Sequence, residues 1–223
     1  LWQSIVDVED ALSDAAARIA RCSVKLLENP DDPESLHQYR ISLRIARSLL
    51  GFLAPYCKGA ALKKTMRDIK KLQDPTSRLR ELDMLCEALD PQTVEASIVV
   101  DTCTQLRAGF IERFAAESTQ KAITRVVGRI KDVPWRRCVR QSGLDAQELV
   151  RTDYELQMAH VSYDDQEAVH DVRKLAKALR YVTREFAELL PDAAEDTNTR
   201  AKAVQDMLGE LCDCWNNAQL VIE

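Results

Sequence analysis

Glycine and proline are scarce, six and seven among 223 residues, and aromatic side chains make up only 5%. A chain this short of turn-formers and rings does not read as a turn-rich β fold. No run of eighteen apolar residues occurs, and Leu1 opens no charged-then-hydrophobic leader, so neither a membrane span nor a signal peptide is expected. The expectation is a soluble, cytoplasmic protein. Metal-ligand spacing is also missing: the seven cysteines are scattered, and the only close pair, Cys212 and Cys214, has no partner motif. They read as small buried apolar residues of a reducing compartment rather than as disulfides. There is no Gly-x-x-x-x-Gly-Lys-Ser/Thr loop, no His-Glu-x-x-His and no Gly-x-Ser-x-Gly. No metal, cofactor or catalytic residue is therefore expected.

What remains is 30% charged residues in long apolar periodicities, the composition of an all-α protein. Apolar steps of three and four predict a first helix over 2–28, ended by Asn29-Pro30-Asp31-Asp32-Pro33, and a second over 33–53. A third starts near Ala60 and is kinked or broken at Asp74-Pro75, beyond which Leu79, Leu82, Leu85 and Leu89 form an apolar ladder. Further helices are expected over 93–116, 119–130, 145–160 and 165–190, and from 193 towards the C-terminus with Gly209 inside it.

The second helix carries His37, Arg40, Arg44 and Arg47 at offsets 0, 3, 7 and 10. At about 100° per residue these four side chains share a sector of roughly 80°, apart from the sector of Tyr39, Leu43, Ala46, Leu50 and Leu53. His170, Arg173, Lys177 and Arg180 repeat the spacing, at an offset of 133. Further on, Lys70-Lys71-Leu72-Gln73-Asp74 matches Lys202-Ala203-Val204-Gln205-Asp206 at an offset of 132. The chain thus contains an internal duplication of a helical unit. The first unit has four main helices, and the chain ends where the second would need its fourth.

The formal charge of −5 conceals a segregation: residues 36–83 carry +7, residues 166–184 carry +3, and the remainder carries −15. Cations gathered into the two striped stretches favour an anionic ligand even on an acidic protein. Lys63, Arg67 and Lys70 share a face of the third helix and form another basic row that could oppose the first. Guanidinium and ammonium groups spaced by helical turns suit a linear polyanion with repeating charge.

His37-x-x-Arg40-x-x-x-Arg44-x-x-Arg47 and His170-x-x-Arg173-x-x-x-Lys177-x-x-Arg180-Tyr181 are each followed about 35 residues later by Leu/Val-Gln-Asp. In this the chain resembles the CHAD family, the α-helical domain named for its histidines. The resemblance implies one domain over 1–223 made of two pseudo-symmetric antiparallel four-helix bundles, about 1–133 and about 144–223, the second short of its last helix or completed from elsewhere. It implies a basic cavity that binds inorganic polyphosphate without catalysis. It nominates His37, Arg40, Arg44, Arg47, His170, Arg173, Lys177 and Arg180, then Lys63, Arg67, Lys70, Lys202 and Arg80. Neighbours implied by the family are a triphosphatase-type domain and polyphosphate granules with their proteins.

Cys212 stands where the second half would match Arg80, and Glu195 and Asp196 match Lys63 and Lys64, so the N-terminal half is expected to hold most of the phosphate. Two other functions compete. One is a helical scaffold that binds an acidic protein or nucleic acid through the same surface, although a helix-turn-helix signal and interleaved aromatics are lacking, making sequence-specific binding an unfavoured reading. A weakly catalytic or accessory phosphohydrolase domain would need acids, and Glu81, Asp83 and Asp213 read instead as partners of Arg78, Arg80 or helix ends.

Overall fold

The computed structural model describes residues 2–57, 60–133, 153, 155, 162–187, 190 and 193–222, and among these the only regular structure is helical. Helices α1 (Trp2–Glu28), α2 (Pro33–Leu53) and α3 (Ala60–Gln73) are followed by a 3-10 turn over Asp74–Thr76 and then α4 (Ser77–Ala88). Helices α5 (Val94–Ala115) and α6 (Glu117–Lys131) complete the N-terminal half, and α7 (Gln166–Glu185) and α8 (Ala193–Ile222) belong to the C-terminal half. The helix expected over 145–160 lies outside the described residues except for Asp153 and Glu155, both helical. No helix among the described residues is long and apolar enough to cross a membrane.

Pro33 enters the first turn of α2, where a missing N–H costs nothing, and Asp32 caps that turn by accepting from the backbone N–H of Glu34 at 3.0 Å and Ser35 at 3.1 Å. These bonds, with the Ser35 hydroxyl contributing most, hold the Asp32 carboxyl below its usual pKa. Asp165 caps α7 in the same way through Ala168 N–H at 3.0 Å. The C-terminal end of α7 departs from expectation. It stops at Glu185, not near Leu190, because Phe186 leaves the helical conformation and buries its ring, 5.7 Å from that of Phe52 on α2.

Neighbouring helices meet in the order α1, α2, α3, α6 and back to α1, while α4 packs on α2 and α5, and α7 on α8. The halves join where α2 lies against α7 and α4 against α8. One apolar core runs from Leu12 and Ile19 of α1 through Tyr39 and Leu43 of α2 to Ala176 and Val182 of α7. Leu208 and Cys212 form a small satellite with Val169. Arg18 of α1 adds a forked bond to Glu185 of α7, both contacts at 3.3 Å. Deep between α4 and α5, Arg107 Nη2 donates to Asp83 Oδ1, and Arg107 Nη1 reaches the Pro30 carbonyl at 3.3 Å.

The reading of all cysteines as unpaired is corrected at one position. Cys57 is disulfide-bonded, whereas Cys22, Cys86, Cys103, Cys212 and Cys214 are free. Cys57 differs from those five in sitting in the connection after α2, outside any helix.

Candidate functional site

Because Leu36, Tyr39, Leu43, Ala46 and Leu50 turn into the core, the periodicity of α2 leaves the histidine and arginines pointing away from it. On α7 the buried Val169, Ala176, Leu179 and Val182 do the same for the second stripe. The contact of α2 with α7 then brings both stripes to one cavity of about 1050 Å³. All eight stripe residues line it, and Arg80 of α4 joins them. Among the described residues nine Lys and Arg side chains face the space against two carboxylates, Glu81 and Asp213.

The duplication is visible in the bonding. Arg47 Nη1 donates to Gln73 Oε1 at 2.9 Å, and its counterpart Arg180 Nη1 donates to Gln205 Oε1 at 3.4 Å. Each glutamine is that of the repeated Leu/Val-Gln-Asp. Arg40 and Arg173, also counterparts, each have a buried Nε without a partner among the described residues. Such an atom has given up water without replacing its hydrogen bond, which favours a ligand that accepts one. Arg40 Nη1 is held by Thr76 Oγ1 and, at 3.4 Å, by Ser77 Oγ. Arg173 Nη2 instead lies 3.6 Å from Asp213 Oδ1.

Crowding of like charges shows in the titration of the site. Burial, followed by Arg44 and Arg173, brings the Lys177 amine down to about 7. Burial and then Arg44 bring Arg40 to about 10. The pKa of His37 is lowered by burial and by Arg80, and that of His170 by burial and by Lys174. An anion among these groups reverses the repulsive share of each shift.

Four nominated residues do not join the site. Lys63 and Arg67 line a separate recess of about 470 Å³ with Lys64 and Lys71. Lys70 is exposed beside Asp74 at 3.3 Å, and Lys202 is exposed on α8 away from the cavity lining. The reason is the rotation of α3, which buries Leu62, Thr65 and Ile69 and gives Met66 and Gln73 to the cavity. Conversely, Lys174 and Arg184 line the cavity although neither was nominated. Both stand four residues beyond a stripe member, the spacing that would have found them. Together these changes correct the expectation of a dominant N-terminal half: four Lys and Arg residues come from that half and five from α7.

The acids also find different partners from those expected. Glu81 does lie near Arg78, at 3.9 Å, but Asp83 pairs with Arg107 and Asp213 with Arg173.

Gly209 occupies the place matched to Ser77. A Cβ there would sit 3.6 Å from Arg173 Nε and Nη2, an ordinary contact. Gly209→Ser therefore supplies an acceptor that Arg40 already has and Arg173 lacks, while removing a helix-interior glycine. The expected gain is about 1 kcal/mol, read as a Tm rise of about 2–4 °C in thermal unfolding.

Among curated proteins none matches the chain. A solved structure, the crystal structure of the CHAD domain from the plant Ricinus communis, is similar in fold, with a TM-score of 0.76 at 20% identity, over 97% of this chain and 77% of that one. The family model of the CHAD domain matches residues 10–221, across both copies of the stripe and both Arg–Gln bonds. The duplicated helices and their shared basic cavity are thus those of a chain that belongs to the CHAD domain family.

Proposed function

We propose that the cavity binds inorganic polyphosphate and does no chemistry on it. The observation that carries this reading is the excess of cations in the lining, nine Lys and Arg side chains against two carboxylates, which persists although Arg80, Lys174 and Arg184 also pair with Glu87, Asp171 and Glu185 beyond it. An unliganded row of this kind repels itself, and a linear polyanion relieves that repulsion along its whole length. Forked guanidinium groups take phosphate oxygens, and the partnerless Nε atoms of Arg40 and Arg173 point to ligand oxygens as their missing acceptors. Both cavity carboxylates lie near guanidinium groups, Glu81 by Arg78 and Asp213 by Arg173, which favours a counter-ion role for them over activation of water.

The test is a calorimetric titration with long-chain polyphosphate in the presence of excess duplex DNA. Binding survives the competitor, and affinity drops by roughly a thousandfold between about 50 and 200 mM salt as counterions are released. Displacement by DNA at equal charge rejects the polyphosphate reading in favour of a general polyanion scaffold.

The pH profile has a definite sign. Lys177 loses its proton near pH 7 in the free protein, and bound phosphate raises that value, so the complex takes up a proton. Affinity therefore falls from about pH 7 to about pH 9, by up to tenfold per unit. Lys177→Arg flattens the slope, which is checked by repeating the titration in buffers of different ionisation enthalpy.

A further inference from the structure

We propose that Lys177 is an acylation site for small acyl phosphates, whose phosphate group Arg44 and Arg173 hold while the lysine amine attacks the acyl carbon. The proposal rests on the reading of the cavity as a phosphate site, and adds to it a reactive group that binding alone does not require.

Three features of the lysine bear on this. It makes no hydrogen bond or ion pair among the described residues, so no local acceptor competes for its amine. It is half-buried yet lines the cavity, so a small molecule can reach it. Its charged neighbours are mostly of one sign: Arg40 and Arg44 from α2 and Arg173 from α7, with Asp213 of α8 as the opposing charge, while His170, whose pKa is lowered, stays neutral at neutral pH. Arg173 stands one helical turn before Lys177, at the spacing that places side chains side by side. Burial first and this company second disfavour the ammonium; a phosphate on the arginines reverses only the second share, so the amine stays easier to free than that of an exposed lysine, and the free amine is the nucleophilic form.

Those same guanidinium groups attract the doubly charged phosphate of a mixed carboxylic–phosphoric anhydride. In the step, the Nζ lone pair forms a bond to the carbonyl carbon, and the bond between that carbon and the bridging oxygen breaks. Phosphate leaves with the electron pair, and the proton shed by nitrogen passes to it or to water. No oxidant or reductant is needed. The product is a neutral amide, which removes one cation from the polyphosphate site and lowers its affinity for the polymer by about tenfold.

The experiment treats the full chain with acetyl phosphate at pH 7.5 and follows each lysine by peptide mass spectrometry. Lys177 is expected to react at least tenfold faster than the exposed Lys63, Lys64 and Lys71, and tripolyphosphate is expected to slow Lys177 more than these three. With N-acetoxysuccinimide, an uncharged acyl donor, the preference shrinks because nothing anchors the reagent. Lys177→Arg removes the fast site and leaves the rates of the exposed lysines unchanged. Equal rates at all lysines, a preference untouched by tripolyphosphate, or one of the same size with the uncharged donor would each overturn the proposal. A parallel titration with long-chain polyphosphate separates the two ideas. Tight binding with a sluggish Lys177 sinks acylation alone, and a fast, protected Lys177 without polymer binding sinks the polymer reading alone.

Discussion

Reversing one cation in each stripe, Arg44→Glu together with Arg180→Glu, is expected to lower affinity for long-chain polyphosphate by at least about a hundredfold. Each charge-assisted bond to phosphate contributes about 1.5–3 kcal/mol, and about 1.4 kcal/mol is a factor of ten. Reversal also adds repulsion. The pair is chosen for what it leaves alone. The Arg44 side chain makes no hydrogen bond or ion pair among the described residues, and the Arg180 side chain holds, among them, only the long 3.4 Å contact to Gln205, the bonds that the Arg180 carbonyl accepts from Asn198 and Thr183 being untouched by the substitution. Arg40 is a poorer choice, since it is buried and bonded to Thr76 and Ser77, so its loss would mix a fold defect with a site defect. Far-UV circular dichroism should be unchanged, and Tm should stay level or rise as self-repulsion in the empty cavity eases. Binding at wild-type strength in a folded double variant would reject the site.

The second large effect concerns stability. Arg107→Ala leaves the Asp83 carboxylate buried without its cation; the Asp83 side chain is 2% exposed, and its Oδ2 already lacks a partner. Stranding one member of such a pair costs about 3–5 kcal/mol, which lowers Tm by about 10 °C in a chain of this size. Replacing both residues by leucine should recover most of the loss, because the desolvation penalty then disappears with the charges. Neither residue lines the cavity, so polyphosphate affinity measured below the melting range should hold in both variants. An unchanged Tm in Arg107→Ala would show that water reaches the pair.

Much of this was legible in the sequence, for reasons that differ from element to element. The bounds of α1 and α2 are set by local chemistry, Asn29 to Pro33 ending one helix and capping the next, and local chemistry is written in consecutive residues. The stripes were legible because two copies constrained one spacing. Rotation of α3 was not. With Lys63, Lys64, Arg67, Lys70 and Lys71 spread around fourteen residues, periodicity offers several basic faces, and the burial of Thr65 beside Leu62 and Ile69 decides among them. The Asp83–Arg107 pair spans 24 positions and has no periodic signature. Lys174 and Arg184 were hidden by the template itself, since a pattern matched across two helices passes over residues present on only one.

The cavity also mixes side chains of unequal order. Arg40 is fixed by Thr76 and Ser77, and Arg47 by Gln73 at 2.9 Å, so these groups lose little freedom when an anion arrives. Arg44 on one wall and Lys177 on the other are untethered among the described residues, and freezing such a side chain costs about 0.5–1.5 kcal/mol of entropy. A short anion gains most by staying on the prearranged groups, whereas a polymer long enough to cross offsets the ordering of the loose ones with added contacts. Length discrimination would then arise from unequal rigidity within the lining, even with cations divided almost evenly between the walls.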